Sequence, residues 1–249
     1  MWLFRSLFPA ELPPVPFPGY ARFTMTPGMT TRTLGPYFAF ETGGPEPGWR
    51  TLGALFGDVP WTARRVADVA DVLGTGDLRV AASIWQLGMA ARLWSPVVGA
   101  LVAEGVLLDL DPGRVWWRPV ASGPLPLRIP APAVRPGTSA ADVADVMGGL
   151  LDPLAALTGR VARLAPGLLR GNAASALAGA VRTVAAARPD LAPAALDLGR
   201  RLLGHGTLRG TGTFTGGSFV RRSCCLYYRV PGGGTCGDCP LTGRPVTRA

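Results

Sequence analysis

Arg221-Arg222-Ser223-Cys224-Cys225-Leu226-Tyr227-Tyr228 and Cys236-Gly237-Asp238-Cys239-Pro240-Leu241 hold all four cysteines of this 249-residue chain. Ten residues separate Cys225 from Cys236. Four thiolates from two short segments suit a tetrahedral zinc or a 2Fe-2S cluster. Disulfides suit the pattern less, because a ring closed between neighbours Cys224 and Cys225 is strained. Zinc sites usually take two separated Cys-x-x-Cys pairs, and adjacent cysteines tend to point apart. A two-iron cluster relaxes that demand, since four ligands are shared between two irons. The favoured reading is a cluster on Cys224, Cys225, Cys236 and Cys239, with zinc and free thiol chemistry as alternatives.

The residues around the cysteines agree with an anionic group. A cluster with four thiolates is a dianion when oxidised and a trianion when reduced. Positive charge and backbone N–H groups nearby favour the reduced form. Arg221, Arg222 and Arg229 stand where they could supply that charge, although solvated surface arginines would look the same in sequence. Gly232-Gly233-Gly234 and Gly237 let the backbone turn sharply towards sulfur, or simply make a flexible loop.

The rest of the chain reads as a globular, mostly helical body. Apolar residues make up 48% and charged residues 16%. No stretch reaches the roughly 18 uncharged apolar residues of a membrane span. The formal charge is +9, and every cationic residue is Arg; Lys is absent. That balance would attract anionic partners. Nucleic acid is disfavoured, because the arginines are dispersed and no recognised binding motif accompanies them. The first 18 residues lack the apolar core and cleavage site of a signal peptide, so the expected location is cytoplasmic.

Residues 1–57, rich in Pro, Gly and aromatics, predict irregular structure with a short strand near Tyr37 to Glu41. Asp58 is placed to cap a helix whose face is Val66, Val69, Ala70 and Leu73, ending at Gly74. Val80, Ile84, Leu87, Ala91 and Trp94 define a second helix from about Leu78. Ser95-Pro96 reads as the start of a third, ending at Gly105. Asp111-Pro112-Gly113 between Val106–Leu110 and Val115–Val120 predicts a hairpin. Prolines from 119 to 138 suggest an extended connection and a sub-boundary. Ser139 and Asp142 resemble a capping box for a helix through Leu151. Asp152-Pro153 predicts a fresh helix, with others over 172–187 and 190–203, before a Gly/Thr-rich loop to Phe219. Val80 to Ala91 and Gly171 to Val181 are apolar enough to be buried helices. The division expected is a helical body, 1–204, and a cluster-binding segment, 205–249.

The tail resembles the C-terminal segment of the ferric-siderophore reductase family of FhuF type. The residues that carry this are Arg222 to Tyr228, the ten-residue gap, and Cys236 to Leu241. Two further stretches resemble the family's body more loosely: Ala81-Ala82-Ser83 to Ala91-Arg92-Leu93-Trp94-Ser95-Pro96, and Gly171-Asn172-Ala173-Ala174-Ser175-Ala176-Leu177. The resemblance implies a mainly α fold with a small β portion, related to the C-terminal region of aerobactin-type siderophore synthetases. It implies a 2Fe-2S cluster on the four cysteines and one-electron reduction of a ferric siderophore in the cytoplasm. Trp85, Trp94 and Asn172 are candidates for contacting the chelate, although core packing competes for the tryptophans.

Other chemistries lack their residues. The single histidine, His205, rules out His-rich metal sites. No Gly-x-Ser-x-Gly elbow, Walker sequence or complete Gly-x-Gly-x-x-Gly is found. Electrons must therefore come from an external donor, and an acidic ferredoxin would suit the basic tail. The competing function is a 2Fe-2S electron-transfer or iron-sensing module without a chelate site.

Overall fold

Only Ser83, Gln86, Arg92 and Ser95 interrupt the apolar and glycine run from Val80 to Ala100, and that run forms the middle of the helix on which the fold is built. The computed structural model describes residues 33–120, 123–129, 134–135 and 139–242. The expectations for 1–32, including the N-terminal reading, and the basic residues Arg244 and Arg248 lie outside the described residues. The helices are α1 (Leu52–Gly57), α2 (Val59–Leu73), α3 (Leu78–Glu104), α4 (Ala140–Val161), α5 (Pro166–Ala187) and α6 (Ala192–Leu202). The chain is mainly α with a small β portion.

Helix α3 is buried on nearly every side, against α2, α4 and α5. Its closest partner is α5, whose Ala173–Ala178 run lets the backbones approach. The contacts Ser83–Asn172 and Gln86–Leu169 step in opposite chain directions, so α3 and α5 run antiparallel. The two stretches expected to be buried helices are the centres of this pair. One hydrophobic cluster runs from Leu34 to Phe219, so residues on both sides of position 204 share it.

Several helix ends follow their sequence signals. Asp58 accepts from the Trp61 N–H to cap α2, which stops at left-handed Gly74. Asp77 caps α3, and Gly105, with φ 68°, ends it. Ser139 and Asp142 form a reciprocal capping box at α4.

Two predicted breaks do not occur. Pro96 lies inside α3 and Pro153 inside α4. An interior proline costs about 3 kcal/mol. Leu93, Trp94, Val97 and Val98 flank Pro96 and are fully buried, as are Leu150, Leu154 and Leu157 around Pro153. Each such side chain contributes about 1.5–3 kcal/mol, so burial outweighs the proline. Ser95 Oγ donates to the Ala91 carbonyl at 2.7 Å, within the same turn. Helix α5 starts at Pro166, six residues before the expected Asn172, with proline in its first turn where no N–H is needed.

The predicted hairpin around Asp111-Pro112-Gly113 is also replaced. The turn forms, with Arg114 and Val115 N–H groups both donating to the Asp111 carbonyl at 2.9 Å. The flanking strands diverge. Strand β3 (Leu107–Leu108) pairs with β6 (Val134–Arg135). Strand β4 (Trp116–Trp117) pairs with β2 (Arg50–Thr51) and β5 (Leu127–Ile129), and β5 runs parallel to β1 (Glu41–Thr42). The Val115 and Pro112 carbonyls accept from Leu52 and Gly53, so the start of α1 occupies the hairpin's place. The Gly/Thr-rich stretch expected as a loop instead contains a hairpin, β7 (Gly212–Thr215) with β8 (Ser218–Arg221). Phe214 and Phe219 face each other across it, ring centroids 5.2 Å apart. Glycine content hid their alternation with exposed neighbours.

The small sheet is fastened to α3 by Arg92. Its guanidinium is buried and donates to three carbonyls: Leu125 at 2.6 Å, Tyr37 at 2.7 Å and Ala39 at 2.5 Å. Burial pulls its pKa down to about 10, partly opposed by Tyr37. Arg92→Leu would leave three carbonyls without their donor. It should destabilise the fold by about 3–5 kcal/mol. Denaturant unfolding of the holoprotein measures this directly.

Candidate metal centre

Strand β8 delivers the chain to the cysteines, and its alternation fixes what faces inward. Phe219 and Arg221 point in; Ser218 and Val220 point out. The Arg221 N–H donates to the Asp238 carbonyl at 3.1 Å, which lays the second cysteine turn beside the end of β8. Cys225, Cys236 and Cys239 form a small buried core of their own, packed by Tyr227 and Leu241. Their exposures are 2%, 8% and 4%, whereas Cys224 is half-buried. No disulfide joins them.

The four thiols act on one another. The Cys224 thiol is pushed up by its hydrogen bond to Cys225 and by burial. At Cys225 the bond from Cys224 pulls down, but the bond to Cys236 and burial outweigh it, giving about 11. Cys236 is pulled down by the bond from Cys225. The vicinal pair and the Cys-x-x-Cys turn thus meet. Among the described residues no three His, Cys, Asp or Glu side chains gather around a single point that would hold one ion. A two-iron cluster asks for only two thiolates at each iron.

Backbone N–H groups point at sulfur, though not from the glycine run that the sequence suggested. Leu226 donates to Cys224 Sγ at 3.3 Å and Leu241 to Cys239 Sγ at 3.4 Å. Asp238 N–H donates to the Cys236 thiol. Leu226 has φ 68°, the only non-glycine left-handed residue among those described. That conformation costs about 1–3 kcal/mol and turns its N–H back towards Cys224.

The segment rests on the α3–α5 pair. Ser83 Oγ donates to the Cys225 carbonyl at 2.8 Å. Asn172 Nδ2 donates to Ser83 Oγ at 3.1 Å and to the Ser83 carbonyl at 2.9 Å. On α5, Arg182 pairs with buried Asp238 at 2.7 Å. The seat requires bare backbone at Gly171. A Cβ there would lie 2.0 Å from Ser223 Oγ and 2.9 Å from Arg221 Nη2.

The three candidate arginines divide. Arg229 is spoken for by Asp77, at 2.8 Å, and joins the 227–229 turn to the cap of α3. Arg222 is exposed, its side chain towards Gly210. Arg221 is 1% exposed, donates to the Leu168 carbonyl at 3.2 Å, and its charge acts on Cys224, Cys225 and Cys236. Its Nε and Nη1 find no protein partner among the described residues. A buried cation without a counter-ion is strongly unfavourable. A dianionic cluster is the group these residues fit.

Residues 221–241 match the family described as FhuF 2Fe-2S C-terminal domain. The match supports a 2Fe-2S cluster as the cofactor of this segment, and Cys224, Cys225, Cys236 and Cys239 all lie within the matched residues. No curated protein matches the chain.

The residues suggested for the chelate are placed differently. Trp94 and Asn172 have no exposed surface and Trp85 very little, so none of them is offered to a bound chelate. Asn172 is a support for the cluster segment instead. Ser83, Gly171, Arg182 and Asp238 were missed as site residues. The available signal was polarity out of place: Ser83 and Asn172 interrupt apolar helices, and Asp238 is the lone acid of a basic tail.

Gly171→Ala should dislodge the segment while leaving α5 helical. The expected outcome is loss of most bound iron with little change in helical circular dichroism. Full iron content would contradict the seat.

Proposed function

We propose that this protein is a ferric-siderophore reductase that works in the cytoplasm. The match of residues 221–241 to the FhuF-type domain carries the reading. The site's geometry supports it. Three cysteines are buried and Cys224 alone is half-exposed, which leaves one face where a donor or an acceptor can approach sulfur. Among the described residues no helix is long and apolar enough to cross a membrane.

The reaction needs one electron and no bond-making catalyst. An external reduced donor loses one electron, and chelated Fe(III) gains it and leaves as Fe(II). The chelator's hard, mostly anionic oxygens are unchanged, but they hold the less charged Fe(II) far more weakly. When bound, the 2Fe-2S cluster supplies one-electron storage between donor and chelate. The chain's own residues exclude water from the sulfurs of Cys225, Cys236 and Cys239, aim N–H groups at those of Cys224, Cys236 and Cys239, and present Cys224. We assign residues 1–204 the role of platform and 205–249 that of cluster carrier. The net charge of +9 favours an anionic chelate and an acidic donor such as a ferredoxin.

The test is single-turnover mixing of anaerobically reduced protein with several ferric siderophores. At least one should reoxidise the protein faster than buffer does, saturably, with Fe(II) appearing in step. Reoxidation that no chelate accelerates would support an electron-transfer or iron-sensing module instead.

A further inference from the structure

We propose that Arg221 is the internal counter-ion of the 2Fe-2S cluster, and that its otherwise unpaired charge makes seating of the C-terminal segment depend on cluster loading. Three observations carry this. The guanidinium is buried at 1% exposure, yet no acidic side chain pairs with it among the described residues. Asp238, the acid nearest in the segment, contacts Arg221 only through its backbone carbonyl and gives its carboxylate to Arg182. Finally, Nε and Nη1 of Arg221 are unpartnered, while Nη2 alone reaches Leu168 and Ser223.

The arrangement favours opposite states with and without the cluster. In the apoprotein the seat buries an unmatched cation, which favours lifting the segment off α5. With a dianion beside it the same cation stabilises the seat. It stabilises the trianion more, so it raises the reduction potential. Gly171 ties the two effects together, because its missing Cβ is what lets Arg221 and Ser223 lie against α5. Arg222 and Arg229 cannot substitute, one being exposed and the other paired with Asp77.

The inference rests on the cluster and not on the chelate as acceptor, so failure of chelate reduction would leave it standing. The test compares Arg221→Met and Arg221→Lys with the unaltered protein, as holo and apo forms. In the holo form, Arg221→Met should lower the reduced-to-oxidised ratio at fixed ambient potential tenfold or more. For a one-electron couple, tenfold corresponds to about 59 mV. Arg221→Lys, which keeps the charge, should recover most of it. In thermal unfolding, Arg221→Met should lower the midpoint of the holoprotein and raise that of the apoprotein. An unchanged potential, or a midpoint lowered alike in both forms, would reduce Arg221 to a structural hydrogen bond and overturn the proposal. The apo comparison needs no loaded cluster, so a variant that fails to keep iron still decides the matter.

Discussion

The missing side chain at Gly171 is the constraint on which the metal centre depends. Ser223 and Arg221 occupy the space a Cβ would fill, at 2.0 and 2.9 Å. The close approach there, with the Arg221 bond to the Leu168 carbonyl, sets the end of β8 flush against α5. Asn172, one residue on, donates to Ser83 across the α3–α5 pair, and Ser83 Oγ in turn donates to the Cys225 carbonyl. One turn is fixed from α3 and the other from α5, through Arg182 and Asp238. The helical body is thus more than a carrier for a metal-binding tail. Its most buried pair of helices is the floor of the site.

The electrostatics follow from the same packing. A basic chain could place its charges anywhere on its surface, where they contribute little. Here Arg221, like Arg92, is drawn inside, and it lies where its charge acts on the cysteines. Burial makes the Arg221 charge effective at short range and costly without a partner. The N–H groups of Leu226, Asp238 and Leu241 add smaller positive dipoles around the sulfurs. Strain at Leu226 is accepted for one of them.

The 2Fe-2S segment was legible in the sequence because the spacing of its cysteines is itself the signal. So were the buried helices, whose apolar runs leave no other placement, and the caps at Asp58 and Ser139. The failures share a cause. Pro96 and Pro153 look like local stops, and local rules lose to several fully buried side chains on each side. The Asp111-Pro112-Gly113 turn forms, but its flanking strands pair with β2, β5 and β6 rather than with each other. Phe214 and Phe219 were obscured by the glycines around them. Asn172, a chelate candidate in the sequence, is buried and gives its amide N–H groups to Ser83. No sequence rule distinguishes those two uses, because both need the same polar group on the same helix face.

Mössbauer spectroscopy on anaerobically purified protein enriched in the iron isotope tests the central claim most directly. The account predicts two tetrahedral, sulfur-ligated ferric ions per chain, coupled to a diamagnetic state, with one becoming ferrous when a single electron is added. A chain that instead held one zinc, or one isolated iron, would contradict it.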